Sequence, residues 1–93
     1  MNENESAVLT AKIEQCNKNI VRFAKEYVSD YLCDEMDAET VDLPKAVEIA
    51  EKTNLGDNPS KSELAEFGIL LFWLNVRKIY SQKLLAIFTE EAC

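Results

Sequence analysis

The chain has 93 residues and a formal net charge of −7, and this length fits one small domain. Hydrophobic residues make up 47% of the chain and charged residues 29%, which is typical of a folded protein and excludes a disordered one. There is no histidine, which disfavours the common metal and acid–base sites. There are only two glycines and two prolines, which disfavours an all-β fold, and acids outnumber bases, which disfavours a generic nucleic-acid binder.

The first predicted element is a long amphipathic helix over about 5–35. Its apolar residues follow one another at spacings of 4, 3, 4, 3 and 4, which is a heptad-like seam. The seam contains Leu9, Ile13, Cys16, Ile20, Phe23 and Tyr27.

The second predicted element is a short helix over about 44–54, which follows a loop over about 36–42. Asp42 is placed to cap its first turn, where Pro44 is tolerated because that turn has free N–H groups. Gly56 comes just after the helix and is expected to stop it in a left-handed conformation.

The third predicted element is a helix over about 61–89, with Ser60 and Glu63 at the spacing of a capping box. On a helical wheel its apolar residues crowd two opposite sides, so both sides need to be covered. One side has Ile69, Phe72, Trp73, Val76, Ile79, Tyr80 and Ile87, and the other has Leu64, Phe67, Leu71, Leu74, Leu85 and Phe88.

These elements predict an all-α fold, with two long helices in an antiparallel hairpin plus one short helix, in one domain over 1–93. Helices of about 30 residues span roughly 45 Å, whereas a compact globule of this size is about 32 Å across. An elongated hairpin cannot cover both sides of the third helix, so a dimeric helical bundle is expected. A monomer with a bent or shorter third helix is the alternative. The expected dimer interface contains Phe67, Leu71, Leu74, Leu85 and Phe88.

Three residues of the third helix are of separate interest. Trp73, with its aromatic neighbours, is expected in the core or the dimer interface rather than in a ligand pocket. Gly68 costs up to about 1 kcal/mol in mid-helix, which suggests the close approach of another helix. Asn75 either fixes the register of an interface or faces solvent.

An acidic block without lysine or arginine follows the middle of the first helix, and its charge equals the whole net charge. It is interpreted as a solubilising surface, as a docking surface for a basic protein, or as a divalent-cation site at Asp34, Asp37, Glu39 and Asp42, although that spacing is not an EF-hand. The block contains Glu26, Asp30, Asp34, Glu35, Asp37, Glu39 and Asp42.

A basic strip, Lys18, Arg22 and Lys25, lies on the polar side of the first helix and could meet phosphates. Ion pairs of Lys18 with Glu14 and of Arg22 with Glu26, each four residues apart, are the competing explanation.

The three cysteines, Cys16, Cys33 and Cys93, are too few and too widely spaced for a disulfide framework or a zinc motif. They favour a reducing cytoplasm, with Cys16 inert in the core. The polar N-terminal residues are unlike a signal peptide, and the longest apolar run, 69–74, is too short for a membrane span. No cofactor, metal or catalytic activity is expected.

In size and acidity the chain resembles many phage- or plasmid-borne accessory proteins, including small inhibitors of defence nucleases such as anti-CRISPR proteins. That resemblance rests on no motif and implies no residue role. From the residues themselves, the first hypothesis is an interaction protein that binds stoichiometrically, with the acidic block docking on a basic surface of a nucleic-acid-handling protein. The alternatives are a small dimeric nucleic-acid-binding regulator that uses Lys18, Arg22 and Lys25, and a structural assembly module whose apolar end around Leu85 and Phe88 accepts a helix of another protein.

Overall fold

The computed structural model describes residues 3–92, and this part of the chain is helical with no strand. Helix α1 spans Glu3–Tyr31, a short 3-10 helix spans Ala38–Thr40, α2 spans Leu43–Lys52 and α3 spans Lys61–Ala92. The predicted all-α class with two long helices and one short helix is confirmed. Cys93 lies outside the described residues.

Helices α1 and α3 form the predicted antiparallel hairpin. The ammonium of Lys12 lies 5.4 Å from the ring centroid of Tyr80 near one end. Near the other end the ring centroids of Tyr27 and Phe67 are 5.3 Å apart. The molecule measures 49 × 26 × 17 Å with a radius of gyration of 15.8 Å, so it is elongated as the helix lengths predicted.

The core lies where α2 covers one half of the hairpin. Tyr27 is fully buried at its centre and contacts the rings of both Tyr31 and Phe67. The core combines small and branched side chains of α1 and α2 with Phe67 and Leu70 of α3. The buried cluster contains Ile20, Ala24, Tyr27, Val28, Val41, Ala46, Ile49, Ala50, Phe67 and Leu70.

The core-facing side of α3 differs from both predicted sides. Leu70, which belongs to neither predicted side, is fully buried. Phe67, from one predicted side, and Ile87, from the other, are also buried, at 6% exposure each. The hairpin therefore packs between the two predicted stripes, covers an edge of each and leaves other residues of both stripes exposed, including Leu64, Phe72 and Leu85.

The first helix ends at Tyr31, four residues before its predicted end. Beyond it the carbonyl of Leu32 accepts bonds from the N–H groups of both Glu35 and Met36, which closes the last turn. Acidic side chains near a helix C-terminus are unfavourable to the helix dipole, which agrees with this earlier stop. The predicted loop that follows contains the 3-10 helix.

The predicted caps of the later helices are present. The Asp42 carboxylate accepts the Lys45 N–H at 3.0 Å, and the Ser60 hydroxyl oxygen accepts the Glu63 N–H at 3.1 Å. Gly56 has a φ of 77°, so its left-handed conformation is confirmed. However, α2 ends at Lys52, and Gly56 shapes the following turn, where its N–H donates to the Asn54 side chain.

Candidate functional site

The seven carboxylates of the acidic block are all exposed, but the structure groups only some of them. Asp34, Glu35, Asp37 and Glu39 line one shallow depression of about 570 Å³ around the turn between α1 and the 3-10 helix. We call these four residues the acidic turn. The turn holds Asp34 and Glu35 beside Asp37 and Glu39 of the capped 3-10 helix, whereas the other three acids lie on α1 and at the start of α2.

Two acids of the block also have a local structural role. The Asp37 carboxylate accepts the Glu39 N–H at 3.0 Å and starts the 3-10 helix. Asp42 caps α2 as described above. Capping fixes the position of these two carboxylates, which are exposed at the surface.

Glu66 of α3 joins the acids of α1. Its Oε2 atom is buried and accepts no hydrogen bond from any residue of 3–92. Burial raises the pKa of the Glu66 carboxyl, the adjacent Asp30 carboxyl raises this pKa further, and the Tyr31 hydroxyl partly opposes the rise. Sequence reasoning missed Glu66, although the predicted hairpin places the start of α3 beside the end of α1.

A second acid of α3, Glu63, clamps the same end of the hairpin. The Tyr27 hydroxyl donates to Glu63 Oε2 at 2.6 Å. Burial raises the pKa of the Tyr27 phenol, and the hydrogen bond to Glu63 raises it further. The phenol therefore stays protonated and joins the two long helices.

The basic strip lines a shallow groove of about 600 Å³ beside the start of α2, with Val21 and Leu43 among its lining residues. Neither of the predicted helical ion pairs forms. Among residues 3–92 the ion pair within 4.0 Å is Lys45–Glu48, and the guanidinium of Arg22 instead lies 5.4 Å from the ring centroid of Phe23. Lys18, Arg22 and Lys25 thus form an unpaired basic groove.

The five residues of the expected dimer interface fall into two groups. Phe67 is buried in the core of its own chain and Leu74 packs against that core, so Phe67 has almost no area left for a partner. Leu71, Leu85 and Phe88 are 43%, 65% and 51% exposed. Leu71, Leu85 and Phe88 are therefore left exposed by the described part of the chain, and the dimer interface stays a prediction.

The other residues singled out on α3 lie on or near the surface. Trp73 packs partly against the core and meets the exposed ring of Phe72 edge-on, with centroids 5.3 Å apart. Nothing lies within 4 Å of a Cβ atom built on Gly68, so no helix of the same chain approaches it as expected. Asn75 is exposed.

The cysteines within the described residues have different environments. Cys16 is buried in the α1 seam, and burial raises the pKa of its thiol, with a smaller opposing effect of Arg77. Cys33 is exposed. The thiol of Cys16 is therefore kept protonated, as expected of an inert core residue.

Residues 3–92 contain no group of three or more metal-binding side chains that could hold an ion, so Asp34, Asp37, Glu39 and Asp42 do not form one. In the same stretch, no helix combines the length and the hydropathy that a membrane crossing requires. Comparison of the chain with known proteins found no matching family model, no matching curated protein and no matching solved structure.

Proposed function

We propose that this protein acts by stoichiometric binding, with the acidic turn docking on a basic surface of a nucleic-acid-handling protein. The observation that supports this proposal is the clustering of four exposed carboxylates in one depression with no cation within 4.0 Å of them among residues 3–92. Such a surface presents negative charge where a nucleic-acid groove would otherwise receive phosphates. An anti-CRISPR or other phage-encoded inhibitor would act in this way.

The proposal includes a homodimer as the active form, and therefore a dimeric helical bundle. Helix α3 carries large apolar side chains that remain exposed along its length, including Leu64, Phe72, Ile79 and Leu85 at 49%, 57%, 43% and 65%. Exposed apolar surface of this extent is typical of a face that meets a partner.

The experiment compares the wild type with a charge-neutralised variant as baits for affinity capture of a partner protein from a lysate of the native host. The variant carries Asp34→Asn, Glu35→Gln, Asp37→Asn and Glu39→Gln, and asparagine preserves the cap at position 37. A matched control neutralises four exposed acids elsewhere, Glu14, Glu51, Asp57 and Glu90. Both variants lose the same charge, so they separate the acidic turn from the net charge.

We expect one nucleic-acid-handling protein to be captured by the wild type and by the control variant but not by the acidic-turn variant. Its nucleic-acid binding should fall in proportion to the added protein and reach its limit at a fixed molar ratio. Equal loss of capture by both variants would assign the effect to net charge, and retention by the acidic-turn variant would overturn the proposal.

A second candidate function, a nucleic-acid-binding regulator, is favoured by the unpaired basic groove. Phosphate contacts by Lys18, Arg22 and Lys25 would give binding that weakens steeply with salt. A mobility-shift assay with duplex and single-stranded DNA and RNA at modest salt tests it, with a variant that carries glutamine at all three positions. The absence of any shift by the wild type removes this candidate.

A further inference from the structure

A second apolar seam runs along the outer side of α3, at coiled-coil spacing. Ile69, Phe72, Val76 and Ile79 follow one another at intervals of three, four and three residues. Ile69, Phe72 and Ile79 are 41%, 57% and 43% exposed, and Val76 is half-buried. We call these four residues the outer seam.

The outer seam lies opposite α2. The depression between α2 and α3 is lined by Val47 and by Leu74, Arg77 and Lys78 of α3. With 100° per residue, these α3 residues lie about half a turn of the helix away from the outer seam. Helix α1 borders the other flank of the seam, where Lys12 lies over the ring of Tyr80 and Val76 is half-buried, so α2 and α1 leave Ile69, Phe72 and Ile79 as the exposed part of the seam.

The surface around the outer seam is free of charge. Between Glu66 and Lys83, the charged residues of α3 are Arg77 and Lys78, which face the depression beside α2. The flanking positions on one side of the seam are Gly68, Asn75 and Gln82. Two copies that each carry a net charge of −7 repel, so a surface for self-association has to be apolar and placed away from the acidic turn.

We propose that the outer seam binds the outer seam of a second copy in antiparallel orientation, around a two-fold axis at the level of Leu74. In this register Ile69 packs on Ile79 of the partner subunit, and Phe72 packs on Val76 of the partner subunit. The two-fold axis repeats each of these two contacts, so the isologous interface contains four layers of side-chain contacts. This interface rests on the homodimer included in the proposed function and specifies its geometry.

Polar residues favour this register. Asn75 lies one residue from the axis, so it meets Asn75 of the partner subunit, and a polar pair of this kind fixes register. Lys83 lies opposite Ala65 of the partner subunit and near the partner subunit's Glu66, an acid that forms no ion pair with a cation of residues 3–92 in its own chain. In this register the polar and charged residues beside the seam therefore meet in complementary rather than repulsive contacts.

The parallel alternative is disfavoured by charge. Parallel pairing would place Lys83 against its own copy and bring the two acidic turns side by side. In the antiparallel arrangement the starts of the two α3 helices lie about 26 residues apart along the axis, roughly 40 Å. That separation is several times the Debye length of about 8 Å at physiological salt.

Crosslinking at single cysteines tests the register. Cys33 and Cys93 are replaced by serine, and Asn75→Cys or Gln82→Cys is introduced and treated with a bismaleimide that has a two-carbon bridge. The two copies of residue 75 lie about 3 Å apart along the axis, whereas the two copies of residue 82 lie about 24 Å apart. We expect efficient covalent dimers from Asn75→Cys and almost none from Gln82→Cys.

A variant of the seam tests its contribution without disturbing the core. Phe72→Ser changes an exposed side chain, and Leu85→Ser removes a more exposed apolar residue that lies outside the seam. By analytical ultracentrifugation we expect Phe72→Ser to raise the dimer dissociation constant at least about 30-fold, as for a hot-spot truncation, and Leu85→Ser to change it less than about threefold. Circular dichroism verifies that both variants retain their helix content.

The outcomes separate the interface from the dimeric state on which it rests. A wild-type protein that is monomeric at micromolar concentration overturns both. A dimer that is dissociated by Leu85→Ser but not by Phe72→Ser places the interface at the distal end of α3 and overturns only the outer-seam proposal. Equal crosslinking at positions 75 and 82 overturns the antiparallel register.

Discussion

At the scale of single residues, Glu66 is held at an electrostatic disadvantage. Its carboxyl is partly buried, Asp30 lies beside it and Glu26 adds further negative charge, all of which raise the pKa of the Glu66 carboxyl above its ordinary value of 4.5. The folded chain therefore holds a proton at pH values where the unfolded chain has released it. Stability consequently falls as the pH rises from about 4.5 through the pKa of the folded state.

We predict that Glu66→Gln stabilises the fold by about 1 kcal/mol at neutral pH, because the amide donates a hydrogen bond to Asp30 where a carboxylate repels it. The gain should disappear as the pH falls below 4.5, where both forms are neutral. Urea unfolding as a function of pH measures this gain in stability. The measurement uses the Phe72→Ser background, in which the expected loss of the dimer takes Lys83 of the partner subunit away from Glu66. Glu51→Gln, an exposed control on α2, should give no such pH dependence.

The hydrogen bond between Tyr27 and Glu63 supplies a second prediction. Its donor is fully buried and its O–H···O distance is 2.6 Å, so we expect Tyr27→Phe to cost about 1.5–3 kcal/mol of unfolding free energy. Tyr80→Phe, which keeps the ring beneath Lys12, should cost less than about 0.5 kcal/mol. A double-mutant cycle with Glu63→Ala isolates the pair, and additive effects of the two changes would contradict a direct bond.

At the scale of elements, local signals in the sequence were sufficient for the caps and the α1 seam. Asp42 and Ser60 were identified because a capping bond spans only three residues. The core side of α3 was not identifiable in this way, because this helix is apolar nearly all round and its orientation is decided by α1 and α2. Leu70 is buried, and Phe72 exposed, through tertiary packing alone.

The same distinction applies to the candidate site. The acidic block was evident from composition, but a linear sequence does not reveal that Asp34, Glu35, Asp37 and Glu39 share one depression. Their grouping depends on α1 ending at Tyr31, four residues earlier than its pattern predicted.

Substitution of the two glycines by alanine should change the stability of the fold in opposite directions. Gly68 is helical, exposed and surrounded by open space, so Gly68→Ala should stabilise the folded chain by up to about 1 kcal/mol. Gly56 has a φ of 77°, so Gly56→Ala should destabilise it by about 1 kcal/mol despite equally open surroundings. Urea unfolding in the Phe72→Ser background measures both, and two effects of the same sign would show that backbone conformation does not determine them.

At the scale of the whole molecule, the two proposed surfaces use different physical forces. The acidic turn is exposed charge, whose attraction to a basic partner is screened by salt. The outer seam itself is apolar, with Lys83 and Glu66 meeting only at its ends, and its dimer brings together two chains that each carry a net charge of −7. Salt should therefore weaken the first association and screen the repulsion that opposes the second.

We predict that raising the ionic strength from about 0.01 M to about 1 M, which shortens the Debye length from about 30 Å to about 3 Å, leaves the homodimer unchanged or strengthens it. Analytical ultracentrifugation at both salt concentrations measures the dimer, and Phe72→Ser should remain monomeric at both. The association with the captured partner should weaken steeply over the same range. A homodimer that dissociates at high salt would instead indicate self-association through charge, with the acidic turn of one copy on Lys18, Arg22 and Lys25 of another.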